Sequence, residues 1–416
     1  MTNDTLEDLE SFRLRARSWL AENMDKMPET VGPWMPQDED GMRARELQRK
    51  LHDGGFAGIC FPKEYGGQGL PRAYQQVFTE ESIPYEMPFT LNVPSLSILA
   101  PTLLDFGTEE QKQRYLPPLI RGDEIWVQFL SEPTGGSDLA GLLTRATRDG
   151  DLYLLNGSKI WSSGAYRADY ALCLARTNWQ VPKHRGLTMF IVKIHQPAIE
   201  VQQIKMVNGV NEFCQEFFDN VPLPLDHVLG QVDDGWTVAT RLLFHERDAV
   251  GGGSPYTSGI GPGSRQAPKD DLIDLARLTG QADDPHVRQL VAESRTGMVV
   301  QRQLIDRVTE GLETGHFQGP AGSLPRLYAA VNSERQTDIG LEIAGSLGGA
   351  WVGDTMAGLY GQRFLFRQGG SLGGGSNEMQ RNIISERILG MPREYAADRD
   401  KPFEEVRHNT MPTRRT

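Results

Sequence analysis

The chain of 416 residues is 38% apolar and 24% charged, which is typical of a folded protein and not of a disordered one. Its formal charge of −12 disfavours broad contact with nucleic acid or an anionic membrane, because both are polyanions. The three cysteines form no CxxC pair, no apolar run is long enough to span a membrane, and the N-terminus has no signal pattern. We therefore expect a cytoplasmic protein with no nucleic-acid partner, no membrane span and no metal site.

Helical periodicity dominates the first part of the chain. Apolar residues recur every three or four positions over residues 6–20, and the pattern continues over residues 43–52. Thr108 and Gln111 form a capping-box pattern, which predicts the start of a further helix in FGTEEQKQRYLPPLIRG. These patterns predict an N-terminal helical domain over residues 1–124.

The pattern becomes that of β structure over residues 125–235. The dipeptides Asp149-Gly150 and Asn156-Gly157 are typical of tight hairpin turns, since they tolerate the positive φ that such turns need. Four segments rich in β-forming residues predict strands: ADYALCLART, GLTMFIVKI, AIEVQQIK and EFCQEFFDNV. Because strands and helices do not alternate here, we predict a central β domain of meander or barrel type.

Helices return in residues 236–392 and predict a C-terminal four-helix bundle. GWTVATRLLFHERDAV is its first helix, and the glycine-rich GGGSPYTSGIGPGSRQAP that follows is typical of a loop. Asp284 and Pro285 supply an N-cap and a first-turn proline for a long helix. Two more helices are expected near residues 324–345 and 378–389. The fold class is therefore α+β, with a charged tail over residues 393–416 that we expect to be loose.

Glu246, in the segment LLFHER, is the first candidate for chemistry. On a helical wheel it falls near the middle of an apolar arc that includes Val238, Leu242 and Ala249, so its carboxylate is directed towards the core. Burial without a partner would raise its pKa towards the range that a general acid or base needs. The alternative is a buried ion pair that only fixes the packing of the helix.

Three other segments could bind a flat or an anionic ligand. FLSEPTGGSDLAG, residues 129–141, has an irregular backbone and several hydroxyls, although a plain turn between domains is an alternative. In KIWSSG, Trp161 and the hydroxyls after it suit a heteroaromatic ring, although an indole in a β core is commoner. In SLGGGSNEMQ, three glycines would let the backbone approach a ligand closely ahead of a helix N-terminus.

Together these motifs resemble those of the acyl-CoA dehydrogenase family from about Leu47 to Pro392. The following occur in the family's order at compatible spacing: FPKEYGGQGL, FGTEEQKQRYLP, SEPTGGSDLAG, NGSKIWSSG, FFDNVPLP and NEMQRNIISERILGMP. The resemblance implies an N-terminal helical domain, a central β domain and a C-terminal four-helix bundle. The residues themselves predict the same organisation.

The resemblance also implies FAD as cofactor and an acyl-CoA as substrate. Against the flavin it places Gln128, Leu130, Ser131, Gly136, Ser137, Trp161, Ser163, Ser376, Asn377 and Glu378. Against the substrate it places Ser137, Phe244, Arg247, Gly374 and Gly375. The implied partners are an electron-transfer flavoprotein, as electron acceptor, and further subunits of a homo- or hetero-oligomer, either a dimer or a tetramer.

Many family members carry their catalytic glutamate at the position of Gly374. A smaller group, including isovaleryl-CoA dehydrogenase and bacterial steroid side-chain enzymes, places it on the first helix after the β domain, and Glu246 matches that position. The resemblance implies that Glu246 takes the α proton of the thioester while the β hydrogen leaves as hydride to flavin N5, giving a 2-enoyl-CoA. Arg247 would help to position this base. A ribityl hydroxyl and the amide of residue 374 or 375 would stabilise the thioester oxygen, each by about 3 kcal/mol.

Two segments depart from the family pattern. LARLTG does not reproduce the RxxFG arginine that in relatives reaches the FAD of a neighbouring subunit, since Arg277 is one place out of register. EIAGS has Glu342 where an amide is usual. These departures leave a second hypothesis open, a non-catalytic partner subunit that lends half of a flavin pocket to a hetero-oligomer. A flavin oxidase or monooxygenase on the same fold is a further alternative.

Overall fold

The computed structural model describes residues 6–26, 41–88, 91–250, 254–256, 271–350 and 355–407. The glycine-rich segment predicted as a loop after residue 250 therefore lies outside the described residues, apart from residues 254–256. The order of elements is helical, then β, then helical, which confirms the predicted α+β class.

The N-terminal helices share an aromatic core. Phe12, Phe56 and Phe78 are buried, and the rings of Phe56 and Phe78 stack with their centres 5.1 Å apart. The predicted capping box is confirmed, because the amide of Gln111 donates to Thr108 Oγ1 and the amide of Thr108 donates to Gln111 Oε1. The helices are α1 Leu9–Asn23, α2 Met42–Asp53, α3 Arg72–Ser82, a π-helical segment Asn92–Leu99, α4 Ala100–Phe106 and α5 Glu109–Arg121.

The central part is an eight-stranded sheet. Its strands are β1 Trp126–Phe129, β2 Arg145–Asp149, β3 Leu152–Ser163, β4 Tyr170–Arg176, β5 Leu187–Lys193, β6 Ile199–Gln203, β7 Phe213–Pro224 and β8 Val228–Leu229. They lie in the order β6-β7-β3-β2-β4-β5-β8, and β1 pairs with β4 in parallel. The four strands predicted from composition correspond to β4, β5, β6 and β7. Strands β4 and β5 are buried on both faces, which explains why their sequences read as continuous apolar runs.

One of the two predicted hairpin turns is wrong. Asp149-Gly150 does connect β2 to β3, with Gly150 at φ +58. Asn156-Gly157 lies instead inside β3, where the register with β7 shifts as in a β-bulge. Gly157 has φ +138, and a Cβ there would lie 2.8 Å from the Cα of Thr144. The glycine is therefore required by a close approach of two backbones within the sheet and not by a turn.

Helices of the C-terminal part pack on one another and on the sheet. The first, α6 Gly235–Val250, packs against β5, α4 and the π-helical segment. The long helix begins as predicted, because Asp284 accepts hydrogen bonds from the amides of His286 and Val287, and Pro285 occupies the first helical position. The others are α7 Asp271–Leu278, α8 Pro285–Glu313, α9 Ser323–Ala344, α10 Ser346–Ala350, α11 Met356–Phe366, α12 Gly369–Leu372 and α13 Asn377–Ile383.

The described residues also bear on membranes, metals and thiols. None of their helices has both the length and the apolar character that crossing a bilayer requires. Within the same ranges, no three His, Cys, Asp or Glu side chains are grouped as ligands for a metal ion. All three cysteines are free, and burial raises the pKa of the Cys173 thiol to about 12, which keeps it protonated at neutral pH.

The prediction of a loose tail is wrong for residues 398–404, which are attached to the β domain. Phe403 is only 1% exposed, and the guanidinium carbon of the fully buried Arg176 lies 3.5 Å from the centre of its ring. The amides of Phe403 and Glu404 donate to the carbonyls of Val181 and Trp179 at 2.9 and 3.1 Å. One aromatic residue within a charged segment therefore anchors the tail to the β domain.

A lysine extends this anchor towards the segment at residues 129–141. Lys183 forms an ion pair with Asp398 of the tail at 3.0 Å and another with Asp138 at 3.1 Å. Arg176 donates to the carbonyls of Ala140 and Leu142. The tail, the end of β4 and the 129–141 segment therefore form one connected polar cluster.

We expect Phe403→Ala to release the tail. Truncating a buried phenylalanine costs about 3–5 kcal/mol, so the amides of residues 403 and 404 should exchange with solvent at least tenfold faster. Hydrogen exchange measured by mass spectrometry on peptides covering residues 395–407 checks this. Tyr395→Ala is the matched control, because Tyr395 is 88% exposed and its loss should change nothing. Equal protection in the wild type and Phe403→Ala would contradict the docked tail.

Candidate active site

Glu246 lies on the buried face of α6, as the helical wheel predicts. It is 9% exposed, and its Oε2 accepts a hydrogen bond of 3.1 Å from Gln128 Nε2 at the end of β1. Burial raises the pKa of the Glu246 carboxyl, while the Gln128 hydrogen bond and the charges of Arg247 and Arg326 act in the opposite direction. A carboxyl in this environment is suited to exchange a proton near neutral pH.

The glycine turn brings its backbone to this carboxylate. Gly374 and Gly375 have φ +67 and +84, values that favour glycine, and a Cβ at Gly374 would lie 3.5 Å from Glu246 Oε1. Gln380 Nε2 donates to both glycine carbonyls at 3.1 Å, and the Ser376 hydroxyl caps α13. A side chain at position 374 would therefore point at Glu246, and its absence leaves room beside the carboxylate.

A buried lysine holds the segment at residues 129–141 against β3. Lys159 Nζ donates to the Leu130 carbonyl and to Glu132 Oε1, both at 2.9 Å, and all of its side chain is buried. Glu132 also accepts from the amides of Leu143 and Thr144. Burial alone would raise the pKa of Glu132, but Lys159 and these hydrogen bonds outweigh it and lower the pKa. The ion pair therefore fixes the backbone on which Ser131, Gly136 and Ser137 are presented.

Trp161 is held in an unusual backbone conformation beside this segment. Its φ is +67 at a register shift between β3 and β7, and its indole is 55% exposed, which is high for tryptophan. The next residue, Ser162, points the other way and donates to Glu216 Oε2 at 3.0 Å within the sheet. The amide of Ile160, the residue before Trp161, donates to the carbonyl of Ser131 at 3.0 Å, so this part of β3 lies next to the 129–141 segment.

This arrangement fits a flat cofactor with polar edges. Trp161 offers an aromatic face, and Ser131, Gly136 and Ser137 offer hydroxyls and backbone next to it. In the part of the chain that the structure describes, three buried side-chain acceptors in or near the site have no hydrogen-bond partner: Gln128 Oε1, Asn377 Oδ1 and Gln380 Oε1. Buried polar atoms are nearly always satisfied, so these acceptors are available to hydrogen-bond donors of a bound group. The residues present therefore fit an isoalloxazine ring.

Not all of the predicted site residues meet at Glu246. Phe244 and Arg247 line a cavity of about 40 Å³ on a different side of α6, facing α8 and Pro325. Arg247 donates no hydrogen bond to Glu246 in the described structure, and its pKa is lowered by burial. Glu378 is exposed at the start of α13 and pairs with Arg381.

Sequence reasoning missed three residues that support the site: Lys159, Arg326 and Gln380. Arg326 is only 4% exposed and lies in the first turn of α9, within the apolar segment SLPRLYAA. A single charge in such a segment is the available signal, because buried charges need a compensating partner. Neither Lys159 nor Gln380 has a comparable signal, since their partners are backbone atoms or distant residues.

Three family models match consecutive parts of the chain. They describe the N-terminal domain of acyl-CoA dehydrogenase over residues 7–123, the middle domain over residues 128–221 and the C-terminal domain over residues 233–389. Acyl-CoA dehydrogenase IpdE1 of Mycobacterium tuberculosis is 33% identical over 401 residues, which cover 94% of this chain and 99% of that protein. Mitochondrial isovaleryl-CoA dehydrogenase of Pongo abelii is 26% identical, with 92% of this chain and 90% of that protein covered.

Solved structures are also similar to this chain over nearly its full length. The Tcur3481-Tcur3483 steroid ACAD is similar with a TM-score of 0.74 and 30% identity, covering 94% of this chain and 99% of that one. The ChsE4-ChsE5 complex from Mycobacterium tuberculosis has a TM-score of 0.72 and 25% identity, covering 95% and 100%. The fold and these matches define a flavin-dependent oxidoreductase with FAD as its cofactor. The chain belongs to the acyl-CoA dehydrogenase family.

We expect Glu216→Gln to change how stability depends on pH. Burial raises the pKa of Glu216 to about 8, against 4.5 ordinarily, so the folded protein keeps a proton that the unfolded chain loses between those values. Wild-type stability should therefore fall by about 1.4 kcal/mol per pH unit across that window through this group, and level off above pH 8. The glutamine variant should lack this contribution.

Urea unfolding at five pH values from 5 to 9 measures it. Glu200→Gln, on the neighbouring strand β6, is the control because Glu200 is exposed. If the curves of wild type and Glu216→Gln run parallel from pH 5 to pH 8, Glu216 does not carry this proton.

Proposed function

We propose that the protein oxidises an acyl-CoA thioester to its 2-enoyl-CoA, with Glu246 as the base that removes the α proton. The observation that carries this proposal is the buried carboxylate of Glu246, bonded to Gln128 and facing the glycine turn. The three heavy atoms nearest to a Cβ built at Gly374 belong to Arg326 and Glu246. The backbone amide of Gly374 or Gly375 would donate to the thioester oxygen as negative charge develops there.

The proton balance of this step follows from the environment of Glu246. The carboxylate must be ionised before it accepts the α proton, and burial raises its pKa. Activity should therefore rise with pH, with a midpoint above the ordinary pKa of a glutamate. Arg247 and Arg326 contribute positive charge that favours ionisation. Gln128 holds one carboxylate oxygen, which leaves Oε1 on the side of Gly374 as the proton acceptor.

The residues proposed to hold FAD are those around Trp161 and the 129–141 segment. Trp161 would stack on the ring, and Ser163 and the Ser131 hydroxyl would bond its polar edge. Ser137 would contact the CoA part of the substrate. When bound, FAD supplies the acceptor for the β hydrogen, which leaves as hydride.

The proposal includes a bulky, polycyclic acyl group. Two facts support it: the 30% identity to the Tcur3481-Tcur3483 steroid ACAD over nearly the full chain, and the glycine at position 374, which adds no side chain next to the base. The proposed electron acceptor is an electron-transfer flavoprotein. The proposed location is the cytoplasm, since unpaired cysteines suit a reducing compartment.

We expect Glu246→Gln to retain yellow FAD but to lose flavin reduction by acyl-CoA by roughly 10²–10⁴-fold, the usual contribution of a general base. Glutamine has nearly the same shape and can still bond Gln128, so binding should persist. Anaerobic stopped-flow absorbance with straight, branched and polycyclic acyl-CoA thioesters measures the rate and ranks the acyl groups. Glu200→Gln is the control for the substitution itself, because Glu200 is an exposed carboxylate on β6. Bleaching of Glu246→Gln at the wild-type rate would contradict the proposal.

A second candidate is a subunit that completes its flavin site only with a partner chain. Arg277 pairs with Asp274 on its own helix, and Glu342 pairs with His286, so both residues that depart from the family pattern are engaged within the chain. Two similar structures are each named for a pair of proteins, the Tcur3481-Tcur3483 steroid ACAD and the ChsE4-ChsE5 complex.

In that case we expect the chain purified alone to be colourless and the chain co-purified with its partner to carry FAD. Absorbance spectra and the mass of the particle in solution measure both properties. Stoichiometric FAD on a homo-oligomer would contradict the second candidate and leave the first.

A further inference from the structure

Two charged side chains, those of Arg326 and Glu246, both lie close to Gly374. A Cβ there would lie 3.2 Å from Arg326 Nε and 3.5 Å from Glu246 Oε1. Residue 374 itself places no side chain between the guanidinium and the carboxylate. The two groups come from helices α6 and α9, so their approach is a property of the folded chain and not of local sequence.

Arg326 is already tied to the segment that leads into this turn. Its Nη2 donates to the carbonyl of Gly370 at 2.8 Å and also to the carbonyl of Gly373. Its Nε is buried and has no hydrogen-bond partner in the described structure. A buried unpaired N–H of a guanidinium is costly, so a group that accepts from Nε is expected in the working enzyme.

Arg326 and Arg247 are the charged groups that act on Glu246. Of the elements packed on α6, the π-helical segment and the 3-10 turn at residues 319–322 contain no charged residue. Asp105 of α4 is bonded to Arg241 and His245 on another face of α6. The other charged groups on neighbouring elements are Arg176 of β4, under Phe403, the exposed Lys193 of β5, and those of α9 that begin about two turns beyond Arg326.

The two arginines differ in what they can do. Arg247 lines the cavity beside α8, and its pKa is lowered by burial with Glu246 as the only opposing charge. Arg326 has the same electrostatic dependence on Glu246, but it also contacts the carbonyls of the glycine turn. Only Arg326 therefore couples the charge of the base to the geometry of the turn.

We propose that Arg326 is a positioning residue, which holds the glycine turn through the carbonyls of Gly370 and Gly373 and faces the ionised Glu246 as its counter-charge. This role presupposes that Glu246 is the base proposed above. The planar guanidinium suits it, because one edge can bind two carbonyls while Nε remains available to a carboxylate. A lysine at this position could supply the charge but not both contacts.

Arg326→Met and Arg326→Lys separate the two parts of this role in the FAD-loaded enzyme. The methionine variant loses the charge and the contacts, so Glu246 should hold its proton to higher pH, by at least about tenfold in proton affinity. The lysine variant keeps the positive charge but cannot make both contacts to the carbonyls of Gly370 and Gly373. Glu246 should therefore titrate near the wild-type pH. Its weakened turn should instead lower kcat for flavin reduction with little change in KM. Arg335→Met is the control, since Arg335 is on the same helix but pairs with Glu293 at the surface.

Infrared difference spectroscopy over a pH series reads the proton on Glu246 directly, without turnover. The band of the protonated carboxyl is assigned as the one that Glu246→Gln lacks. A band that titrates at the wild-type pH in Arg326→Met overturns the counter-charge role, and unchanged kcat in Arg326→Lys overturns the positioning role. If the methionine variant does not fold, Gly374→Ala tests the same contact by placing a methyl between the two groups, and the band should again shift upwards.

The readouts also distinguish this role from the proposed function. If Glu246→Gln keeps full activity, Glu246 is not the base, and the band shift still decides whether Arg326 is its counter-charge. If Glu246→Gln is inactive and the band does not shift in Arg326→Met, only the role of Arg326 is overturned.

Discussion

The burial of one carboxylate, that of Glu246, is the constraint on which the arrangement of the residues around it depends. A carboxylate with 9% exposure must be neutralised or compensated, because an isolated buried charge is too costly to keep. The compensation comes from three parts of the chain: Gln128 on β1, Arg247 on the same helix and Arg326 on α9. Each of these elements must therefore be in place before the buried carboxylate is compensated, so its environment depends on the complete fold.

The β domain also buries two carboxylates, those of Glu132 and Glu216, and they differ in their charge. Lys159 and Glu132 are both buried, and their ion pair is completed by backbone groups, so both charges are kept and used to fix the 129–141 segment. Glu216 has no such partner beyond the Ser162 hydroxyl, and its pKa of about 8 leaves it largely protonated at neutral pH. Thus a carboxylate with an ion-pair partner fixes the 129–141 segment, while one without such a partner stays largely protonated inside the sheet.

Much of the fold could be predicted because its signals are local. The capping box at Thr108, the N-cap at Asp284 and the apolar runs of β4 and β5 each specify their own element within a few residues. The direction of Glu246 was predictable for the same reason, since a helical wheel needs only the residues of one helix. Family membership followed from motifs that are likewise contiguous in sequence.

Features that depend on distant contacts could not be predicted. Asn156-Gly157 has the composition of a turn, yet its glycine serves a close approach to Thr144, which no local pattern reveals. Arg326 meets Gly373 and Glu246 only because α6, α9 and the glycine turn converge, across 80 residues of chain from Glu246 to Arg326. The tail was predicted from its charge, whereas its structure is decided by a single ring that finds Arg176 on a strand more than 200 residues earlier.

The docked tail has a practical consequence for handling the protein. Phe403 is buried against the β domain, and Lys183 forms ion pairs both with Asp398 of the tail and with Asp138 in the segment proposed to hold the cofactor. A fluorescent protein or affinity tag fused after Thr416 would be joined 13 residues beyond Phe403, close in the chain to this attachment. A fusion partner joined ahead of Asp8, the N-cap of α1, is attached far along the chain from this connection and is the better choice for production.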